Sequence, residues 1–189
     1  MQPTIDISTN TVPKNYSRGR TAFLCLVWLI VQSTIFDIFP RPFHGWRCLL
    51  LRLFGAKIGR SVKIRPGVRI EFPWRLTIGD YSAIGDNVWL YNLAPIIIGK
   101  HSVISQYAKL VTGSHDPHSC RFELLVKPII IGNYAWIGAN SFVFPGVTIE
   151  EGALLGACSA ACKDIPSWTI CAGNPATFIK KRDLAFAVI

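Results

Sequence analysis

From Ile58 onward the hydrophobic residues of this chain recur every six positions. An aliphatic residue leads each unit, glycine often follows, and a small residue stands fifth. Ile58-Gly59-Arg60-Ser61-Val62-Lys63 is followed by Ile64-Arg65-Pro66-Gly67-Val68-Arg69. The unit returns at Ile78-Gly79, Ile84-Gly85, Ile98-Gly99, Ile104-Ser105, Ile131-Gly132, Ile137-Gly138, Val143-Phe144, Ile149-Glu150 and Leu155-Gly156. One hexamer means little, but eleven in one pattern specify a repeat architecture.

Three short strands close one triangular turn of about 18 residues, with each leading aliphatic residue pointing inward. Glycine and small residues serve the corners, where positive φ or close backbone approach is needed. A single turn cannot bury its own face, so the turns must stack. Ile58 to Ile78 and Ile78 to Ile98 are both 20 residues, and Ile131 to Ile149 is 18. Ile98 to Ile131 is 33, and the surplus predicts a loop thrown out of the coil at about residues 114–128. Periodicity does not give the hand of the coil.

Residues 22–36 are nearly all apolar, but Gln32, Ser33, Thr34 and Asp37 interrupt the run before the ~20 residues that span a bilayer. Pro40 and Pro42 end it. Over residues 43–54, Phe43, Trp46, Leu50 and Leu53 keep a helical spacing that puts Arg47 and Arg52 on the surface. The expected organisation is an N-terminal extension and helical cap over residues 1–56, a solenoid over 57–182 and a tail over 183–189. The helices either cover the open end of the solenoid or a subunit interface, or make peripheral membrane contact, because apolar surface and arginine occur together.

The net charge of +9 changes the picture of the first half only. Residues 1–75 carry 12 Lys/Arg against 3 acids, and residues 76–189 carry 8 of each. Such a basic half attracts phosphorylated substrates or an anionic membrane, or merely aids solubility. No nucleic-acid motif accompanies it. The six cysteines form no CxxC pair, and no signal-peptide cleavage site follows the apolar run. These features predict reduced thiols in a cytoplasmic protein, none of them marked as a nucleophile.

Catalytic candidates gather where the repeat breaks, at Thr112-Gly113-Ser114-His115-Asp116-Pro117-His118. Loops ejected from a rigid scaffold commonly carry function. His115 stands at the root of the loop, where a neutral imidazole can accept a proton from an alcohol. His118 is either loop structure or a substrate contact. His101 falls at an outward position and is expected on the surface, and His44 is expected to pack. Trp136 occupies the outward last position of its hexamer, walling an active site or filling a subunit interface.

Together these segments resemble the hexapeptide-repeat acetyltransferases. The residues that carry the likeness are the Ile-Gly hexamers, Val-Thr-Gly-Ser-His-Asp (111–116), Lys-Pro-Ile-Ile-Ile-Gly (127–132), Ala-Trp-Ile-Gly-Ala (135–139), Pro-Gly-Val-Thr-Ile (145–149), Lys-Asp-Ile-Pro (163–166) and Gly-Asn-Pro-Ala (173–176). The likeness covers about residues 20–182 and is nearest to the colanic-acid branch of that family, with the galactoside, maltose and nodulation-factor enzymes beside it. It implies a left-handed parallel β-helix, a homotrimer, active sites between subunits, acetyl-CoA as co-substrate and no metal. It implies His115 as general base and Trp136 at the pantetheine end. Gly138 and Ala139 fall at the thioester oxygen, Ala157, Cys162 and Lys163 along the CoA arm, and Thr177 and Lys180 near the nucleotide. Asn92 and Asp116 are the acceptor-side candidates. Three departures stand out: Ala139 where some relatives have serine, Thr177 where some have a basic residue, and Ser-His-Asp in place of the Gly-His-Pro of the galactoside branch.

The expected activity is acetyl transfer to a saccharide hydroxyl in cell-surface polysaccharide synthesis, with an acceptor linked to lipid pyrophosphate or nucleotide. N-acetylation of an amino sugar uses the same base and stays open. A zinc hydratase would need three converging histidines, and the spacing of His101, His115 and His118 does not provide them. A non-catalytic assembly module would need neither the loop nor its histidine.

Overall fold

The computed structural model describes residue 12, residues 16–39 and residues 43–183. The Pro40 and Pro42 helix stop, Lys14, Arg41 and the tail beyond residue 183 lie outside the described residues. From Lys57 the chain winds as a left-handed parallel β-helix with three faces. The first face stacks Lys57–Ile58, Leu76–Ile78, Ile96–Ile98, Ile129–Ile131 and Thr148–Ile149. The second stacks Lys63–Ile64, Ala83–Ile84, Val103–Ile104, Trp136–Ile137, Leu154–Leu155 and Thr169–Gly173, then adds Ala176–Lys181 antiparallel. The third stacks Arg69–Ile70, Trp89–Tyr91, Lys109–Val111, Phe142–Val143 and Ala160–Ala161.

The leading aliphatics form the core as expected. Ile64, Ile84, Ile104, Ile137 and Leu155 are in register along the second face, and all are buried. Beside them runs an internal column of small residues. Ser82 Oγ donates to the Gly99 carbonyl (2.6 Å) and Ser102 Oγ to the Gly132 carbonyl (2.7 Å), so these buried hydroxyls are satisfied within the coil.

The corners divide two roles that the repeat pattern had merged. The fourth residue of the hexamer adopts positive φ, and along one corner this column runs Ser61, Tyr81, His101, Tyr134, Gly152 and Trp168, four of them ring residues. Their rings stack on one another at 5.0, 5.4 and 6.5 Å, which helps hold the left-handed backbone that bulky residues disfavour. Glycine in second place answers a different need. A Cβ on Gly138 would lie 2.6 Å from the Gly156 carbonyl carbon of the next turn.

Two helices cover the first turn: α1 spans Ala22–Thr34 and α2 spans His44–Leu53. Thr21 caps α1 through its side chain, accepting from the Leu24 N–H. Trp28, the one buried residue of α1, donates its indole N–H to the Ile70 carbonyl (2.7 Å), and Gln32 accepts from the Ile70 N–H (2.6 Å). The face of α2 that packs inward differs from the expected one. Arg47, Cys48, Leu50 and Leu51 are buried, whereas Phe43 and Leu53 are exposed. Arg47 goes inside because Asp37 meets its Nε at 2.9 Å and the Phe39 carbonyl meets its Nη2 at 2.6 Å. Arg52 stays outside and donates to the Ile58 and Gly59 carbonyls. His44 packs as expected, with Nδ1 3.1 Å from the Ile64 carbonyl.

Candidate active site

The surplus residues after Ile98 do not form an irregular loop. Gly113–His115 and Leu124–Val126 pair as an antiparallel hairpin that leaves the solenoid between its third and first faces. The shorter inserts sit at the same corner one and two turns earlier. In the earliest, Pro73–Arg75 forms a 3-10 turn. In the next, Asn92 lies fully buried, its amide donating to the Phe72 carbonyl (2.6 Å) and accepting from the Phe72 N–H (2.9 Å). Asn92 therefore ties the two inserts together from a fully buried position. The hairpin rests on this stack. A Cβ on Gly113 would come within 2.8 Å of Leu93 and 3.2 Å of the Tyr91 ring. Burial there pushes the Tyr91 hydroxyl above its ordinary range, helped by the charges of Glu71 and Tyr16.

His115 is held from one side. Its Nδ1 lies 2.8 Å from the Phe122 carbonyl, and its ring stacks on the Phe122 ring at 4.1 Å. A carbonyl only accepts, so Nδ1 carries a proton, and in the neutral ring the lone pair is then on Nε2. That is the tautomer a general base needs. Asp116 makes no side-chain hydrogen bond to the imidazole among the described residues. Its Oδ1 accepts from the His118 N–H (2.9 Å) and its N–H donates to the Glu123 carbonyl (2.9 Å), so it shapes the hairpin tip. His118 belongs to that turn. His101 is the surface residue expected, sandwiched between Tyr81 and Tyr134.

A second set of candidates gathers at a different corner, between the second and third faces. Trp136, Gly138, Ala139 and Ala157 line a cavity of about 390 Å³ with Ser105, Gln106, Leu154, Leu155 and Gly156. Trp136 is 46% exposed, and its indole N–H donates to Ser105 Oγ at 2.9 Å. The Gly138 N–H is used in the coil, donating to the Leu155 carbonyl (2.8 Å). The Ala139 N–H makes no hydrogen bond among the described residues, so of the pair it is the one available to an incoming oxygen. The cavity's lining is largely apolar, which suits a thioester-bearing arm.

The remaining candidates separate. Thr177 and Lys180 are exposed on the last strand, opposite Ala172 and Ile170, above the corner that holds Trp136. Cys162 and Lys163 are also exposed, but they follow Ala160–Ala161 and so lie at the His115 corner, two turns further on. Phe122 and Ser105 were not anticipated from the sequence. Ser105 had a signal, since it stands where the hexamers usually place glycine. Among the described residues no cluster of His, Cys, Asp and Glu could hold a metal ion.

A family model described as "Hexapeptide repeat of succinyl-transferase" matches residues 128–158. The chain is 50% identical over 177 residues to "Putative colanic acid biosynthesis acetyltransferase WcaF" of Escherichia coli (strain K12), covering 94% of this chain and 97% of that protein. It is 34% identical over 134 residues to Nodulation protein L of Rhizobium leguminosarum bv. viciae, covering 69% and 70%. Among solved structures it matches a hexapeptide-repeat acetyltransferase from Vibrio cholerae O1 biovar eltor, complexed with acetyl coenzyme A. That match has a TM-score of 0.78 at 27% identity, over 87% of this chain and 92% of the other.

Proposed function

The chain belongs to the hexapeptide-repeat acetyltransferases, and from that premise we propose that it moves acetyl from acetyl-CoA to a saccharide hydroxyl with His115 as general base. The observation that carries the reading is the orientation of His115, with Nδ1 fixed on the Phe122 carbonyl and Nε2 without a hydrogen bond among the described residues. Nε2 takes the proton of the acceptor hydroxyl. The oxygen attacks the acetyl carbon, and the Ala139 N–H meets the developing oxyanion. The thioester bond breaks, and His115 returns its proton to the departing sulfur.

Two halves of such a site stand on different corners of one chain. The Trp136 cavity lies between the second and third faces, and the His115 hairpin lies between the third and first. A neighbouring copy that set its hairpin against this cavity would bring them together. It would also bring Cys162 and Lys163 to the same CoA arm. This supports a homotrimer with its sites between subunits. The proposed acceptor is a saccharide linked to a lipid pyrophosphate or a nucleotide, of the kind used in exopolysaccharide synthesis. A recess of about 490 Å³ beside the hairpin, lined by Tyr16, Ser17, Arg75 and Val126 among others, supplies a cation for such a carrier. Six free thiols suit a reducing, cytoplasmic setting.

The test is acetyl transfer over a panel of saccharide and amino-sugar acceptors. His115→Ala should lose roughly 10²–10⁴-fold in rate and keep acetyl-CoA binding. Mixing the inactive His115→Ala and Trp136→Ala chains should restore part of the activity, because some interfaces then pair both intact halves. Wild-type transfer by His115→Ala would overturn the base, and no recovery on mixing would overturn the shared site.

A further inference from the structure

The two helices over the first turn bury one apolar face and expose a second, which a simple cap would not do. A capping helix ordinarily turns a polar face to water. On α1 only Trp28 is buried, while Phe23 (75% exposed), Leu26 (55%) and Ile30 (54%) share one outward stripe at i, i+3 and i+7. Leu29 widens the stripe, and α1 contains no charged residue at all. The exposed apolar surface continues through Ile38, Phe39 and Phe43 to Leu49 and Leu53 on the outer side of α2. The segments form one body. The Trp46 indole N–H donates to the Ile35 carbonyl (2.8 Å), and Phe39 packs on both Phe43 and Trp46. Exposed apolar patches of this kind mark a binding surface.

Charge decides what covers it. In the segments that flank α1 and α2 along the chain, Arg18, Arg20, Arg52, Lys57, Arg60, Lys63 and Arg69 are exposed, Arg60 being paired with Asp80. The acid within the patch, Asp37, is already spent on Arg47 and on the Gly67 N–H. A second copy of this chain set face to face would bring like charges together at close range. An anionic bilayer would satisfy both features, taking the apolar stripe into its acyl boundary and the guanidinium groups to its headgroups. At 13 residues α1 is about 20 Å long, short of the ~30 Å hydrocarbon core. No helix among the described residues is long and apolar enough to cross a membrane. The geometry fits a helix lying in the interface.

We propose that the outer faces of α1 and α2, with the arginines that flank them, form a docking surface for an anionic membrane. This surface is separate from the acetyl-transfer site, and its test does not depend on activity. The full chain is floated with vesicles of phosphatidylglycerol and phosphatidylcholine in equal parts, and with phosphatidylcholine alone. Binding to the anionic vesicles is expected, with little on the neutral ones and progressive loss as salt rises. The variant Phe23→Ser/Leu26→Ser/Ile30→Ser should weaken it by more than about tenfold. The variant Arg18→Gln/Arg20→Gln, which leaves the helix intact, should weaken it by roughly fivefold per arginine. No binding by the wild-type chain to anionic vesicles overturns the proposal. So does binding that both variants retain in full. Self-association in solution that the triple-serine variant abolishes, without vesicle binding, assigns the patch to a second copy instead.

Discussion

The Phe122 carbonyl oxygen lies 2.8 Å from Nδ1 of His115, and the Phe122 ring stacks on the imidazole at an interplanar angle of 9°. One residue therefore fixes both the tautomer and the plane of the proposed base. The two contacts differ in what a substitution removes. Any residue at 122 supplies the carbonyl, but only an aromatic side chain supplies the stack. Phe122→Ala should leave the tautomer and free the ring to rotate. Turnover should fall between about ten- and a hundredfold, the scale of loss when a reacting group drifts by about 1 Å. Acetyl-CoA affinity should change far less than turnover, because Phe122 does not line the Trp136 cavity of its own chain. Phe122→Tyr should restore the rate. Steady-state kinetics with separate measurement of acetyl-CoA binding checks this, and an unchanged turnover in Phe122→Ala refutes it.

The solenoid was readable in the sequence because one residue type does one job along each column. Ile78, Ile98, Ile131 and Ile149 pair turn on turn and need only be apolar and of similar size. The corners were less readable. Positive φ suggested glycine, yet Tyr81, His101, Tyr134 and Trp168 hold it, supported by stacking that exists only once the turns have closed. Helical spacing placed Arg47 outside, but spacing does not see Asp37 ten residues earlier waiting to pair with it. His115 stood out as the histidine at the break in the repeat. Phe122 did not, because its role arises from the return strand of a hairpin that the period does not encode.

Two glycines should answer oppositely to alanine. At Gly138 the added Cβ would press on backbone atoms of the next turn, at 2.6 Å from the Gly156 carbonyl carbon and 2.7 Å from the Leu155 oxygen. Backbone cannot swing aside, so Gly138→Ala should lose about 1–3 kcal/mol or more through overpacking. Gly45, within α2, meets nothing within 4 Å. Gly45→Ala should gain roughly 0.5–1 kcal/mol, because alanine loses less backbone freedom on folding. Denaturant unfolding of the two variants side by side decides it, and loss in both would show that α2 does not tolerate the added methyl.

Asp80 should make stability depend on pH. The Arg60 N–H donates to Asp80 Oδ1 at 2.8 Å, and this bond holds the carboxyl below the usual carboxylate range. Partial desolvation opposes the shift, and the charges of Arg60 and Lys100 add to it. A depressed folded-state value means that the stabilisation is complete above the unfolded value, about 3.9, and is lost as pH falls through the folded one. Asn133 makes the matching bond to the Lys100 N–H at 2.9 Å, so asparagine fits this corner position. Asp80→Asn should keep the shape and remove the charge. Its unfolding midpoint should lie below wild type at pH 7, and the gap should narrow progressively below about pH 4. A gap that stays constant with pH would rule out the ionic contribution.

Arg47 is the most deeply buried charge among the described residues, and its partner decides what replacing it costs. Its side chain is fully buried, with Nε on Asp37 at 2.9 Å and Nη2 on the Phe39 carbonyl at 2.6 Å, while Nη1 finds no partner among the described residues. Asp37 is 38% exposed at its side chain, so it gives up less hydration than Arg47 does. Removing the acid should therefore do more harm than removing the base. Asp37→Asn keeps an oxygen for the Gly67 N–H, now at 2.8 Å, but leaves the guanidinium buried without a counter-charge. The loss expected for breaking a buried pair is roughly 3–5 kcal/mol, and partial exposure of Asp37 puts this case at the lower end. Arg47→Met removes the cation and fills much of its volume with an apolar chain, so it should lose less. The double variant Asp37→Asn/Arg47→Met should recover most of what Asp37→Asn loses, because no charge then remains buried. Unfolding midpoints of the three variants form the cycle. Additive losses would mean that the pair is uncoupled and that the Phe39 carbonyl alone accommodates Arg47.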